Sequence, residues 1–495
     1  MKKLVAVFLA FLLFSTLLMS CAVSENGNGD DTGGNNIGTS ATDNEQPLVD
    51  SNGYLLDSVP NDLNFGTTIS ILYWSDVEQP EFQVDEITGD IVKDAIYGRN
   101  LQTETRLGIT LNWVGTLGNY DNQKNFVSTA FNSISSGGDY DIFAGYSMTG
   151  ATLAVNGYVL DLKSLDYLDF EKPWWPDSLI GQATIGDKLY FASGDISTNM
   201  LHMMYAVFFN KRMITDFDLE SPYDLVNSGA WTYTKMFEMA TGIYSDLNAN
   251  NTRDMNDRYG FATASIHYDA FFTGAGLNTV EKGENDWLIM SPTFNSEKTL
   301  TLLNDINSFM WNGNDGYHGS TGAIFALDNT IFTLDRSYMA LLRKDEISFD
   351  YGIVPVPKFD EAQEKYYTCL GFPYTMYTIS MATKQPEAAA ATLEVLCSEA
   401  YRQTTPMLFE TTMKYKYTSD DESVRMYDII RESVSIDIGR IFTTELNNYS
   451  YSLFRNAVVN NTAGSWASTF KGSSKIFEKC LQAINDSLAE LSAKQ

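Results

Sequence analysis

The sequence predicts an α/β fold made of more than one folding unit. Beyond Phe65, short strand-like runs alternate with longer helical ones, which is the pattern of sheets flanked by helices. The chain has 495 residues, 44 % of them hydrophobic, so that two or three units with substantial cores are expected at ordinary domain sizes. No repeat with a period of about 20 to 50 residues is visible, which sets solenoids and propellers aside.

At the N-terminus, Lys2 and Lys3 precede an uncharged apolar run from Leu4 to Met19 that ends in Ser20-Cys21. That is the layout of a signal peptide, expected over residues 1–20. A permanent membrane anchor is the weaker reading. The run is marginal for about 30 Å of hydrocarbon, and a polar Gly/Asn-rich stretch follows it in place of a basic stop-transfer cluster. From 21 to 60 the chain runs through NGNGDDTGGNN and GTSATDNEQ, with little to bury, and a flexible tether is expected there.

The first units of the folded part follow in order: strands at Thr68–Tyr73, Ile109–Val114 and Asp141–Ala144, and helices at Asp94–Leu107 and Lys124–Ser135. Further along, Asn210-Lys211 ends a strand and begins a helix, Thr232 precedes a helix as its N-cap, and Pro386 opens an alanine-rich helix. Ligands bind open sheets at the carboxyl ends of strands, so Gly145-Tyr146 after the third strand is a place to look for a site.

Charge excludes one class of partner. With 63 acidic against 33 basic residues the formal charge is −30, and a phosphate backbone would be repelled, so no nucleic acid is expected. Apart from Cys21, the cysteines are Cys369, Cys397 and Cys480, an odd number in a chain too long to need stapling, and they read as small buried hydrophobes.

One loop carries its own chemistry. From Asp246 to Asp257, oxygen donors stand at positions 1, 3, 5, 9 and 12 as Asp246, Asn248, Asn250, Asp254 and Asp257, with the Thr252 carbonyl at position 7. That is the spacing of an EF-hand-like loop, which gives Ca2+ about 6 to 8 oxygens near 2.4 Å. Asn251 stands where Gly is usual, though Asn tolerates the left-handed turn, and Asp257 stands where a longer Glu is usual. A polar Asx-rich turn without metal is the alternative.

Two resemblances add to this. Leu18-Met19-Ser20-Cys21 resembles the lipobox of bacterial lipoproteins, which implies acylation of Cys21, palmitate among its chains, and a place on the outer face of the cell membrane. The second rests on Tyr140-Asp-Ile-Phe-Ala-Gly, Asn156-Gly-Tyr-Val-Leu-Asp-Leu, Gly186-Asp-Lys-Leu-Tyr-Phe-Ala, Phe208-Phe-Asn-Lys-Arg, Pro222-Tyr-Asp-Leu-Val with Trp231-Thr, Asp350-Tyr-Gly-Ile-Val-Pro-Val-Pro-Lys and Pro386-Glu-Ala-Ala-Ala-Ala-Thr-Leu-Glu. In that order, these stretches resemble the extracellular solute-binding proteins of ABC importers, family 1, the carbohydrate-binding class. The resemblance implies a type II periplasmic-binding-protein fold, with one lobe at 61–193 plus 368–401 and the other at 194–367 plus 402–495. It also implies a monomer that holds an oligosaccharide between the lobes, hands it to permease subunits, and is no enzyme.

For the ligand site, aromatic and polar residues at strand ends and crossings are the candidates: Trp74, Tyr146, Asp195, His267, Tyr268, Arg336 and Trp466. Pyranose C–H faces stack on aromatic rings, while carboxylate and guanidinium groups take paired hydroxyl hydrogen bonds. Each has an alternative reading as a core aromatic or a salt-bridge partner, and Trp174, Trp175 and Trp231 are assigned to packing. A secreted polysaccharide hydrolase is the competing function, although no G-x-S-x-G, H-E-x-x-H or P-loop is present. A sensor for peptides or other solutes is a third.

Overall fold

The computed structural model describes residues 48–418 and 420–495. The signal peptide, Cys21 and the tether as far as residue 47 lie outside the described residues. Two mixed sheets organise the rest. Strands β1 (Thr67–Trp74), β2 (Ile109–Thr116), β3 (Ile142–Tyr146) and β11 (Thr375–Ile379) form the first sheet in the order β11-β3-β1-β2. The first three are parallel, and β11 is antiparallel to β3. The second sheet takes β4 (Tyr205–Asn210), β5 (Tyr259–Thr263), β8 (Gly316–His318), β9 (Thr330–Arg336) and β10 (Tyr351–Pro355) in the order β10-β4-β9-β5-β8. A short antiparallel ribbon, β6 (Val280–Lys282) with β7 (Leu288–Met290), stands apart from both.

Local chemistry explains the boundaries. Helix α1 (Ile91–Leu107) begins where the Asp90 carboxylate accepts from the backbone N–H of Val92 and Lys93, and ends at Gly108 with φ 59°. Helix α2 (Gln123–Ser136) lies between β2 and β3, and α3 (Thr149–Val155) follows β3. Asn210 and Thr232 do cap helices, each accepting from the N–H three residues on, and Pro386 does open the helix Pro386–Glu399. Because β1, β2 and β3 run parallel, their carboxyl ends share one edge of the first sheet. In the second, β5, β8, β9 and β10 run the same way and end together at Thr263, His318, Arg336 and Pro355.

The chain passes between the sheets twice, and the two passages pair with each other. Ala192 and Tyr377 exchange both backbone hydrogen bonds at one end (3.0 and 2.8 Å); at the other, Tyr205 N–H reaches Cys369 O (3.0 Å) and Gly371 N–H reaches Met203 O (2.8 Å). Gly194 opens the first passage where a Cβ would stand 2.2 Å from the Trp174 carbonyl oxygen, so no larger residue fits. A further link is the 27-residue helix Trp466–Ser492, about 40 Å long at 1.5 Å per residue. Its first turn packs on Phe294 of the second lobe, and just beyond its end the Gln495 side chain bonds Asp161 N–H (2.7 Å) and Val159 O (2.8 Å) of the first.

Two boundaries differ from the sequence reading. The tether was expected to run to Pro60, yet from Leu48 the chain is packed: Asp57 is buried against Arg106 (2.6 Å) and Arg402 (3.6 Å), and Val59 is buried beside it. Composition averaged over the leader hides Leu55, Leu56, Asp57 and Val59. Second, the π-type helical winding over Ala400–Thr404 and Pro406–Lys416 packs on α1 of the first lobe, although everything after 401 was placed in the second. Among the described residues no helix is long and apolar enough to cross a membrane. Cys369 and Cys397 are buried free thiols and Cys480 is half-buried.

Candidate ligand cleft

The carboxyl edges of the two sheets face each other across the paired crossings. From the first lobe, the loop after β1 brings Glu78 and Gln79, the loop after β2 brings Tyr120, and β3 ends on Tyr146 and Ser147. From the second come Arg336 at the end of β9, the His267–Asp269 turn after β5, and Arg440, Tyr451 and Arg455 from the C-terminal helices.

Asp269 is the centre of the second-lobe wall. Its buried carboxylate accepts from Arg440 Nη1 (2.7 Å), Arg455 Nε (2.9 Å) and Arg455 Nη2. Burial pushes its carboxyl up, but the two guanidiniums outweigh that and hold it below the ordinary carboxylate value. Each arginine also covers a ring: Arg440 lies 4.2 Å from the centre of Phe372 and Arg455 4.1 Å from that of Tyr451, and the two rings meet at 5.6 Å. Thus one carboxylate fixes two cations and two aromatic faces at once.

Contacts across the cleft are few and polar. Arg336 Nη1 meets Glu78 Oε1 at 3.4 Å, Gln79 Nε2 donates to Tyr338 Oη at 3.0 Å, and the hydroxyls of Tyr120 and Tyr451 are 2.9 Å apart. Thr152 of α3 donates to Glu445, whose second oxygen is shut off from water without a partner among the described residues. Leu117, Tyr120 and Ile266 are exposed apolar groups on the loops that leave β2 and β5.

The sequence candidates divide. Tyr146 belongs to the cleft: burial raises its phenol well above the usual value, Glu78 adds to that, and Arg336 and Arg440 of the opposite lobe oppose it. Arg336 is there too, with its Nε buried and without a hydrogen-bond partner among the described residues. His267 stands behind it, Nδ1 3.7 Å from Asp335 and its ring edge-on to Tyr205, and burial lowers its pKa so that it is neutral.

The other four are placed elsewhere or turned inward. Trp74 is no stacking platform: it is wholly buried, edge-on to Tyr146 at 5.3 Å, and its Nε1 donates to Thr375 Oγ1 (2.7 Å). Tyr268 is likewise buried, stacked on His318 and bonded to its Nδ1 (3.1 Å). Trp466 packs on Phe294 and Phe470 with Nε1 on Asn295 (2.8 Å), which anchors the C-terminal helix. Asp195 lies in the crossing, 3.6 Å from Arg431 at a cavity of about 150 Å³, and burial raises its carboxyl to about 6. Trp174, Trp175 and Trp231 are core, the first two donating to the Glu394 carboxylate and the third to Pro355 O.

Missed in the sequence were Glu78, Asp269, Phe372, Arg440, Tyr451 and Arg455. Asp269 adjoins Tyr268, a weak signal, but its partners lie 171 and 186 residues away.

The Asp246–Asp257 loop turns back onto its own first carboxylate. Asn251 takes φ 55° at the sixth position, and the N–H groups of Asn250 and Asn251 turn onto Asp246. Asn248 and Asn250 donate their amides to Asp254, while Asp257 is buried with Oδ1 unpartnered. Rotating each amide by half a turn would present oxygens instead. As the side chains stand, no group of three or more His, Cys, Asp or Glu among the described residues is placed to hold a metal.

No family model matches the chain, and no curated protein matches it in sequence. Solved structures do match in fold. A cyclo/maltodextrin-binding protein complexed with maltotetraose aligns at TM-score 0.53 and 13 % identity, over 86 % of this chain and 97 % of its own. An extracellular solute-binding protein from Staphylococcus aureus in complex with maltose aligns at 0.53 and 11 %, over 88 % and 98 %. The cyclic alpha-maltosyl-1,6-maltose binding protein from Arthrobacter globiformis aligns at 0.53 and 12 %, over 86 % and 99 %. The chain thus has the two-lobed α/β fold of solute-binding proteins, over most of its length.

Glu445 generates a test of the interlobe contact. Burial raises its carboxyl from 4.5 to about 7, so between those values the folded chain keeps a proton that the unfolded chain has lost. Its contribution to stability is complete below about 4.5 and lost as pH rises to about 7. Replacing Glu445 by Gln, which keeps the acceptor for Thr152, is expected to flatten the fall of melting temperature over that window. An unchanged slope would assign the effect to another group.

Proposed function

We propose that the protein captures an oligosaccharide between its lobes and presents it to an ABC importer, without transforming it. The observation that carries this is the cleft wall, where two ring-capped guanidiniums held on one buried carboxylate offer both stacking faces and hydroxyl donors. The sugar complexes among the structures of the same fold support the reading. The hydrolase alternative loses ground at Asp269, since a carboxylate fixed by two arginines is a poor proton donor. A thermal-shift screen of oligosaccharides should find one that raises the melting temperature, because ligand at 100 times its Kd adds about 2.7 kcal/mol. Chromatography after long incubation should return the same sugar. Enzymatic release of shorter sugars, lost on replacing one Asp or Glu, would falsify the binding-protein reading.

The loop Asp246–Asp257 is proposed to hold Ca2+ through the Asp246, Asn248, Asn250, Asp254 and Asp257 side chains and the Thr252 carbonyl. The ion would fix this part of the second lobe and take no part in sugar contact. Chelator is expected to lower the melting temperature of the wild type and to leave Asp246→Ala unmoved. Equal shifts in both proteins, or none in either, count against the site.

A lipid on Cys21 is proposed to hold the protein, as a monomer, on the outer face of the cell membrane. Metabolic labelling with a clickable fatty acid should mark the wild type and not Cys21→Ser, and label on the variant would remove the anchor.

A further inference from the structure

The protein carries 63 acidic and 33 basic residues, so a gathering of unpaired cations is against its overall trend. One such gathering adjoins the cleft. Beside the Gln79–Tyr338 contact, one residue on from Glu78 and two from Arg336, opens a cavity of about 400 Å³. Lys93 from the first turn of α1, Lys344 from the second lobe and Lys416 from the end of the π-type winding line it. All three are exposed, and none has an acidic partner within ion-pair distance among the described residues. Two carboxylates also line the cavity. That of Asp90 is engaged in capping α1, and that of Asp345 is exposed.

Two buried groups point the same way. His202 lines the cavity at 4 % exposure, its ring edge-on to Tyr338 at 5.7 Å, and neither ring nitrogen has a hydrogen-bond partner among the described residues. Burial depresses its pKa to about 4, so it is a neutral imidazole able to donate or to accept. On the cleft side, Arg336 Nε is buried without a hydrogen-bond partner among the described residues, and the opposite lobe brings Glu78 to its guanidinium in a single long contact at 3.4 Å. Glu78 is therefore a weakly held stand-in that a stronger anion can displace.

We infer that the solute is an acidic oligosaccharide, one that carries carboxylates along its chain, and that its charged residues run from Arg336 past Gln79 and Tyr338 into the groove of Lys93, Lys344 and Lys416. The inference rests on the oligosaccharide reading and narrows it. Rings for the pyranose faces stand at Phe372 and Tyr451, and compact ammonium groups suit carboxylates that approach singly. Exposed pairs are screened beyond about 8 Å at physiological salt, so the groove acts by local contact and not through the protein's net field, which is repulsive.

The test is calorimetric titration of the protein at low and physiological salt with three probes: uronate oligosaccharides of several backbones, the same sugars after reduction of their carboxyl groups, and sulfated oligosaccharides of neutral backbone. A uronate should bind more tightly than its reduced counterpart, and less tightly as salt rises. The variant K93Q/K344Q/K416Q, which changes only exposed side chains, should lose about tenfold in affinity for the uronate and little for the reduced sugar. Equal binding of the reduced sugar, preference for sulfated probes alone, or an unmoved triple variant overturns this inference while the oligosaccharide reading stands. Silence of these probes together with the neutral screen overturns the oligosaccharide reading itself.

Discussion

The cleft depends on a carboxylate buried behind it. Glu81, wholly buried, accepts from Asn199 N–H (2.9 Å), Asn199 Nδ2 (2.8 Å) and the Thr375 hydroxyl, and Thr375 Oγ1 in turn accepts from Trp74 Nε1. Arg99 of α1, also wholly buried, donates to the carbonyls of Glu81 (2.9 Å), Phe82 (2.9 Å) and Ile196 (3.4 Å). A buried charge without partners costs several kcal/mol, so these bonds hold one arrangement. They join the end of β1, helix α1, the first crossing and the start of β11. The paired crossings thereby enter the second lobe in one register, and Trp74 is drawn into the core instead of the cleft.

From that root the two lobes differ in how tightly they meet. The crossings are paired at both ends, whereas the cleft contacts are single and polar, such as Glu78 on Arg336 and Tyr120 on Tyr451. Motion concentrated at the crossings would break only the weak set. The C-terminal helix limits that motion, because it begins on Phe294 and ends against Val159 and Asp161. A hinge motion at the paired root would therefore have to work against the helical strut that touches both lobes.

Much of the scaffold was legible because it is local. Alternating apolar runs marked β1, β2 and β3 to within a few residues, and caps at Asn210 and Thr232 marked helix starts, since each signal lies within one turn of the structure it makes. The wall of the site was not legible. Asp269 gains its role only when Arg440 and Arg455 arrive from helices far along the chain, and no spacing rule connects them. Aromatics misled for a related reason: Trp74 and Trp466 sit at a strand end and in a polar run, which is how exposed stacking residues look, yet each ring is buried against a packed neighbour and each indole N–H is taken by a side-chain oxygen, of Thr375 and of Asn295. Asp57 shows the converse. It lies in a polar leader and reads as solvent-exposed, until Arg106 and Arg402 fold over it.

Capture by closure, as proposed, requires the solute to lie between the lobes and draw them together. Small-angle scattering of the protein, with and without an oligosaccharide shown by calorimetry to saturate it, measures this directly. The radius of gyration should fall on binding, and the fall should be lost when Asp269→Asn loosens the arginine pair that forms the second-lobe wall. A saturated protein whose radius does not change would contradict capture by closure and place the sugar outside the cleft.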